Sequence, residues 1–176
     1  MRALRMTGIL LAVVVATPAG TLAQERKRAS PHETTTATVD GAKVSITYGR
    51  PYAKGRKIVG GLVPYGQVWR TGADEATTLV TDKALMMGSA HVNPGTYTLY
   101  TLPGEKGWEL IINKQTGQWG TQYDQGQDLA RVPMKVGKTS GPVEQLTLEI
   151  ADTPAGGELR LSWENTLATV PFTVMK

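Results

Sequence analysis

Apolar and polar residues alternate along most of the chain, which is the pattern of half-buried β-strands. Val44, Ile46 and Tyr48, for example, alternate with polar neighbours. Just before them, Asp40-Gly41 is a turn signal that predicts a hairpin. No long stretch shows the period of about 3.6 residues that marks an amphipathic helix. The pattern therefore predicts an all-β protein.

Short runs of the same kind continue to the C-terminus, separated by turn sequences such as Asn93-Pro94-Gly95. They lie at residues 76–81, 84–90, 96–102, 108–113, 132–136, 146–150, 159–163 and 168–175. With the first hairpin, these runs predict about nine short strands. We therefore expect one domain over residues 34–176, an antiparallel β-sandwich or flattened barrel.

Two long glycine-rich segments interrupt the strand pattern. They are residues 49–74, called the first loop below, and residues 114–128, called the second loop. Long loops on a rigid sheet are common places for binding and catalysis. We therefore expect the functional site in these two loops.

The N-terminus has the layout of a signal peptide. Two arginines precede an uncharged apolar run at residues 6–16, and small residues stand at positions 21 and 23, where a signal peptidase reads the chain. The run is much shorter than the roughly 20 apolar residues that span a bilayer, so we expect no membrane span. We predict a signal peptide over residues 1–23, cleaved near Ala23, a flexible segment at residues 24–33, and an exported soluble protein, periplasmic or extracellular.

Charge and cysteine content narrow the function classes. The full chain of 176 residues has a formal charge of +4, but the signal peptide holds two of its 19 basic residues and none of its 15 acidic ones, which leaves +2. This small excess gives no support to nucleic-acid binding, and we expect no such partner. The absence of cysteine excludes disulfides, thiol nucleophiles and thiolate metal sites. The sequence does not indicate an oligomeric state.

The residue types in the two loops suit a polar ligand. Of the aromatic residues of the chain, 4 are Trp, 6 are Tyr and only 1 is Phe, and Trp and Tyr rings stack on ligands while keeping a polar atom near water. The first loop also carries five cations and no acid before residue 74. We expect a glycan or an anionic small molecule to bind there. The candidate ligand-binding residues are Arg50, Tyr65, Trp69, Arg70, Asp74, Glu75 and Trp119, with Tyr52 and Tyr123 as further loop rings.

The same residues also have structural interpretations. The loop rings are equally consistent with a small core beneath each loop, whereas Trp108 and Trp163 fall on strand patterns and are expected in the main core. The loop cations are consistent with solvated side chains or with ion pairs to Asp74 and Glu75.

Metal and cofactor motifs are weak. The chain has only His32 and His91, which excludes a three-histidine site, and a mixed site of His91 with Asp74 or Glu75 has no spacing motif behind it. Residues 124–128 place acids around a glycine but lack the other ligands of a calcium loop. Neither a nucleophile elbow nor a dinucleotide-binding glycine motif is present. We therefore expect no metal and no cofactor.

An enzyme is the main alternative to a binding protein. An envelope hydrolase would use Asp74 or Glu75 as its acid or base, but adjacent residues on an extended strand point to opposite faces, which disfavours joint action. The sequence identifies no catalytic residue, so binding is favoured over catalysis. A third alternative is a protein-interaction module that presents an exposed sheet edge.

Residues 60–78, with the sequence GGLVPYGQVWRTGADEATT, resemble the signature of a family of exported bacterial proteins known as domain of unknown function 2911. Shorter landmarks extend the resemblance from about Ser30 to the C-terminus: Gly49-Arg50-Pro51, Pro94-Gly95-Thr96-Tyr97, Gln118-Trp119-Gly120 and Trp163-Glu164-Asn165. The resemblance implies a β-rich exported domain in which the first loop is a shared feature, and it implies no particular activity. Where family members often carry Asn in the acidic pair, this chain has Asp74.

Overall fold

The computed structural model describes residues 28–176, so the expected signal peptide and residues 24–27 lie outside the described residues. Nine strands and one short 3₁₀ turn, Gln125–Gln127, make up this part of the chain. The strands are β1 His32–Val39, β2 Ala42–Gly49, β3 Thr78–Thr81, β4 Leu85–Met87, β5 Ala90–Val92, β6 Gly95–Pro103, β7 Trp108–Asn113, β8 Asp128–Thr153 and β9 Gly156–Val174.

The strands form one antiparallel sheet in the order β1-β2-β3-β6-β7-β8-β9-β4-β5. The prediction of an all-β fold with about nine antiparallel strands is therefore confirmed. The sheet does not close, which leaves β1 and β5 as its two edges. No helix within residues 28–176 is long and apolar enough to cross a membrane.

Strands β8 and β9 are longer than the sequence pattern predicts, because each joins two predicted short strands. Strand β8 pairs with β7 over residues 128–134 and with β9 over residues 135–138 and 147–153. Between these two stretches, Val143 alone among the described pairs has a partner in β9. None of residues 135–145 is buried, so this middle part lacks the apolar alternation that marks a strand in sequence. The ladder with β9 is irregular in this part, and Gln145 pairs instead with Tyr52 of the first loop.

One hydrophobic core holds the sheet together. Its buried residues come from all nine strands, and Trp108 and Trp163 belong to it, as their positions on strand patterns predict. Across this core, the buried Tyr48 hydroxyl of β2 accepts a hydrogen bond of 2.8 Å from the Leu148 N–H of β8. Burial raises the pKa of Tyr48, so the phenol stays protonated and this contact remains neutral.

The close contact between Gly157 and Phe172 within β9 allows a test of the packing of this core. A Cβ atom at Gly157 would lie 2.0 Å from Cζ of Phe172, whose side chain is buried. We expect Gly157→Ala to lower the free energy of unfolding by about 1–3 kcal/mol, because the ring must leave its place in the core. Urea unfolding of the purified variant measures this change.

Gly137→Ala in β8 is the matched control, because its added methyl group would meet no heavy atom of the described residues within 4 Å. We expect this variant to unfold at nearly the same urea concentration as the unsubstituted protein. Equal midpoints for both variants would contradict the packing described for Phe172.

Candidate functional site

The first loop is fixed to the sheet by backbone hydrogen bonds rather than standing free in solvent. Near its start, the Ala53 N–H donates to the Glu144 carbonyl of β8 at 2.7 Å. Farther along, Trp69 and Thr101 of β6 exchange two hydrogen bonds, of 2.7 and 2.9 Å. Side chains carried by this loop are therefore held in defined positions over the sheet.

Part of the first loop packs into the main hydrophobic core. Ile58 and Val63 are both 1% exposed, and Gly60 between them has a φ of +72°. The Tyr65 ring lies so close that a Cβ atom at Gly60 would come within 2.7 Å of its Cε2 atom. Gly60 thus serves a tight turn, and the Tyr65 ring, which is 43% exposed, packs on that turn.

The two loops meet along a short stretch of paired backbone. The Gly120 N–H donates to the Asp74 carbonyl at 2.9 Å, and the Ala76 N–H donates to the Gln118 carbonyl at 3.2 Å. Gly120 itself lies under the side chain of Arg70, where a Cβ atom would come within 2.8 Å of Arg70 Cδ. This pairing brings the candidate residues of both loops to one side of the molecule.

An open cleft of about 550 Å³ lies between the two loops. Two aromatic pairs contribute to its lining. Trp69 stacks on Trp163 with ring centroids 5.7 Å apart, and Tyr100 meets Tyr123 edge to face at 4.9 Å. Tyr52 also lines the cleft. The cleft therefore offers several flat faces with polar atoms at their rims.

Three cations line the same cleft, and Asp74 is its one acidic lining residue among those described. Arg56 donates to the backbone carbonyls of Ala53 and Tyr52, at 2.9 and 2.6 Å. By contrast, the half-buried Arg70 side chain has no hydrogen-bond or ion-pair partner within residues 28–176, and the same holds for the ammonium group of Lys54. These two cations are available to a ligand.

Asp74 and Glu75 lie together beside His32. The Nε2 atom of His32 is 3.1 Å from Glu75 Oε2 and 3.8 Å from Asp74 Oδ2. The reasoning that adjacent acids point to opposite faces is wrong here, because Asp74 has a left-handed φ of +63° and is not part of an extended strand. The sequence pattern contains no signal of this backbone conformation.

Glu75 also pairs with Arg28, whose Nη1 atom lies 2.6 Å from Glu75 Oε2. This hydrogen bond is the main cause of a lowered pKa of Glu75, and the Glu75 backbone N–H contributes to the same effect. His91, the histidine that the sequence suggested as a partner of these acids, lies instead on edge strand β5, opposite Met86 of β4.

The structure divides the seven candidate ligand-binding residues into two groups. Trp69, Arg70 and Asp74 line the cleft, whereas Arg50, Tyr65, Glu75 and Trp119 lie outside its lining. Trp119 is 47% exposed on the second loop, where it pairs with Glu75. Trp163 is in the core, as its strand pattern predicts, and it also borders the cleft. Tyr100 lines the cleft too, although the sequence pattern does not distinguish it from other strand residues.

Arg50 is occupied by structural contacts. Its Nε atom donates to the Leu146 carbonyl and its Nη2 atom to the Thr147 hydroxyl, both at 2.9 Å, and it forms an ion pair with Glu33. Arg50 therefore joins β1, β8 and the start of the first loop, and its guanidinium is satisfied within the protein.

The acidic segment of the second loop builds a capped turn. The Asp124 carboxylate accepts a hydrogen bond of 2.8 Å from the Gly126 N–H at the start of the 3₁₀ turn. Asp128 accepts from the Tyr123 hydroxyl at 2.6 Å and from Arg131 and Asn113 at 3.1 and 2.9 Å. These acids thus stabilise the loop and hold the Tyr123 ring at the cleft.

A family model described as Protein of unknown function (DUF2911) matches residues 30–172. This match confirms the family resemblance inferred from residues 60–78 and from the shorter landmarks. Comparisons with curated proteins and with solved structures returned no match.

The Tyr123 phenol gives a pH-dependent test of the second loop. Burial, together with the hydrogen bond to Asp128, raises the pKa of Tyr123 from 10.0 to about 12. Because the folded state holds this proton more tightly, the resulting stabilisation is fully present below pH 10 and is lost as the pH rises to about 12. We expect tyrosinate absorbance, taken as the difference between the unsubstituted protein and Tyr123→Phe, to rise near pH 12.

Asp128→Asn removes the negative charge that disfavours the phenolate, so we expect the same transition to move toward pH 10 in that variant. A difference spectrum that already rises near pH 10 in the unsubstituted protein would contradict the hydrogen bond between Tyr123 and Asp128.

Proposed function

Since the chain belongs to the DUF2911 family of proteins of unknown function, we propose a function from the site itself: an exported binding protein that holds a glycan or an anionic small molecule in the cleft between the two loops. One observation carries this proposal. The half-buried Arg70 has no partner within the described residues and lines a cleft beside the stacked Trp69 ring.

The charge of the cleft favours an anionic ligand. Lys54, Arg56 and Arg70 outnumber the single lining acid, Asp74, and a cleft lined mainly by one sign of charge concentrates ligands of the opposite sign. The planar fork of an arginine can form two parallel hydrogen bonds with a carboxylate or a phosphate. Arg70 is the best placed of the three, because the guanidinium of Arg56 already donates to backbone carbonyls.

The size and the aromatic lining of the cleft favour a small ring-shaped ligand. A volume of about 550 Å³ falls within the roughly 300–1,000 Å³ that is usual for small-molecule sites. Trp69 and the tyrosines offer flat faces on which a sugar ring can stack, with hydroxyl groups nearby. An acidic sugar combines both requirements and is the ligand class that we propose.

The geometry favours binding over glycoside hydrolysis. Asp74 and Glu75 are grouped with His32 and do not both line the cleft, whereas the two carboxyl groups of a glycosidase flank the scissile bond. Glu75 is also held by Arg28 and lies outside the cleft lining. If the protein were instead a protein-interaction module, a partner could pair with the edge strands β1 and β5.

Arg70→Ala tests the proposed anion site. We expect glucuronate oligosaccharides to change the tryptophan fluorescence of the purified protein, because Trp69 and Trp163 border the cleft. Neutral glucose oligosaccharides of the same length should bind much more weakly. Loss of a charged hydrogen bond of about 1.5–3 kcal/mol predicts that Arg70→Ala weakens binding of the acidic probe by about tenfold to a hundredfold.

Arg160→Ala is the matched control, because this arginine lies on β9, pairs with Glu158 at 2.7 Å and does not line the cleft. We expect its affinity for the acidic probe to equal that of the unsubstituted protein. The proposal fails if acidic and neutral probes bind equally, or if both arginine variants lose affinity to the same extent.

Export is a separate part of the proposal and rests on the N-terminal sequence. The arginines before the apolar run at residues 6–16, together with the small residues 21 and 23, support cleavage near Ala23. We expect mass spectrometry of the protein expressed in a bacterial host to find a chain that begins at about Gln24 in the periplasm or the medium. An uncleaved cytoplasmic chain would contradict export.

A further inference from the structure

We propose that His32, Asp74 and Glu75 form a binding site for Zn²⁺ at the edge of the cleft. The three side chains each offer one ligand atom, and these atoms lie within 4.8 Å of one another. All three side chains are partly exposed, at 26%, 32% and 45%, so a metal ion can reach them from solvent. This inference rests on a different group of residues from the anion site around Arg70.

The spacing of the ligand atoms suits a tetrahedral zinc ion. Zinc lies about 2.0–2.2 Å from histidine nitrogen and carboxylate oxygen, so neighbouring ligand atoms in a tetrahedral site are about 3.3–3.6 Å apart. The His32 nitrogen is 3.1 Å from the Glu75 oxygen and 3.8 Å from the Asp74 oxygen, on either side of that range. The third pair, the oxygens of Asp74 and Glu75, lies within 4.8 Å. Zinc would draw these two carboxylates together by up to about 1.5 Å, which rotation of partly exposed side chains allows.

The backbone around Gly49 positions both His32 and the segment that carries Asp74 and Glu75. Gly49 pairs with His32 in the β1–β2 ladder, and its carbonyl accepts a hydrogen bond from the Ala73 N–H at 3.2 Å. The next residue, Arg50, donates its N–H to the Pro31 carbonyl at 2.8 Å. A Cβ atom at Gly49 would lie 2.3 Å from the Ala73 carbonyl oxygen and 3.1 Å from His32 Nε2, so glycine makes this close approach feasible.

The kinds of ligand atom select the metal. Calcium and magnesium prefer oxygen ligands alone, whereas a histidine nitrogen with two carboxylates suits zinc and related transition metals. Three protein ligands leave a fourth position of a tetrahedral ion for water or another ligand, as in zinc sites that are open to solvent. Asp74 also lines the cleft, which places this fourth position near the bound molecule that we propose there.

A cationic group already occupies this place in the structure. The Nη1 atom of Arg28 lies 2.6 Å from Glu75 Oε2 and 3.1 Å from His32 Nε2. The side chain of Arg28 is 51% exposed, and exposed ion pairs of this kind contribute only about 0–1 kcal/mol. Arg28 therefore competes weakly with a divalent ion, and we expect Arg28→Ala to raise the affinity for Zn²⁺.

Calorimetric titration of the purified, chelator-treated protein with Zn²⁺ tests the site. We expect one equivalent to bind, and Mg²⁺ to bind far more weakly. Changing an outer partner of a metal ligand commonly costs about 10-fold to 100-fold in affinity, so removal of a ligand in His32→Ala or Asp74→Asn should cost at least about tenfold. Unchanged affinity in both variants would overturn the proposal.

His91→Ala is the matched control, because the chain has two histidines and His91 lies on edge strand β5. We expect this variant to bind Zn²⁺ as the unsubstituted protein does. Equal losses in His32→Ala and His91→Ala would identify adventitious binding and overturn the site. A second readout is the ring NMR signals: Zn²⁺ should shift those of His32 and leave those of His91 in place, whether or not the variants fold well.

The proposals of a zinc site and of an anion site can be tested independently of each other. Arg70→Ala should lose the acidic oligosaccharide and keep its affinity for Zn²⁺, because Arg70 contributes no ligand to the metal group. His32→Ala should lose Zn²⁺ in the absence of any oligosaccharide. If Zn²⁺ binding is lost equally in Arg70→Ala and His32→Ala, the assignment of these three ligands is wrong.

Discussion

The hydrogen bonds between the two loops are the constraint on which the candidate site depends. Gly120 donates to the Asp74 carbonyl and Ala76 to the Gln118 carbonyl, so the first loop cannot move away from the second without breaking paired backbone. The first loop is held at two further points, on β8 and on β6. A surface built on loops thereby approaches the rigidity of a surface built on strands, which lowers the entropic cost of binding a ligand.

The fold could be predicted from the sequence where burial accompanies strand pairing, and not elsewhere. Val44, Ile46 and Tyr48 alternate with polar residues because one face of β2 is buried, and the pattern reports that burial directly. The middle of β8 is exposed and only irregularly paired with β9, so it carries no such pattern and the sequence predicts a break between two strands. Hydrophobic periodicity measures burial, whereas strand length is set by backbone hydrogen bonding.

The site could be predicted only in part, because several of its features depend on contacts between residues far apart in the chain. Loop composition was sufficient to select Trp69 and Arg70. Arg50 belongs to the same group of loop cations. Its hydrogen-bond partners, however, lie on β8, about 96 residues later in the chain, so the role of Arg50 is structural. The grouping of His32 with Asp74 needs the left-handed backbone at residue 74, for which the sequence offers no reliable sign.

The buried end of the aromatic stack carries a local energetic cost. Trp163 is 2% exposed, and its indole N–H has no hydrogen-bond partner within the described residues. An unsatisfied buried donor costs about 1–3 kcal/mol, which a phenylalanine of similar packing would avoid. The tryptophan that bears this cost is the one that stacks on Trp69 at the cleft. Such local costs are common at binding sites, because the geometry needed there conflicts with optimal packing, and this one agrees with the binding role that we propose for the cleft.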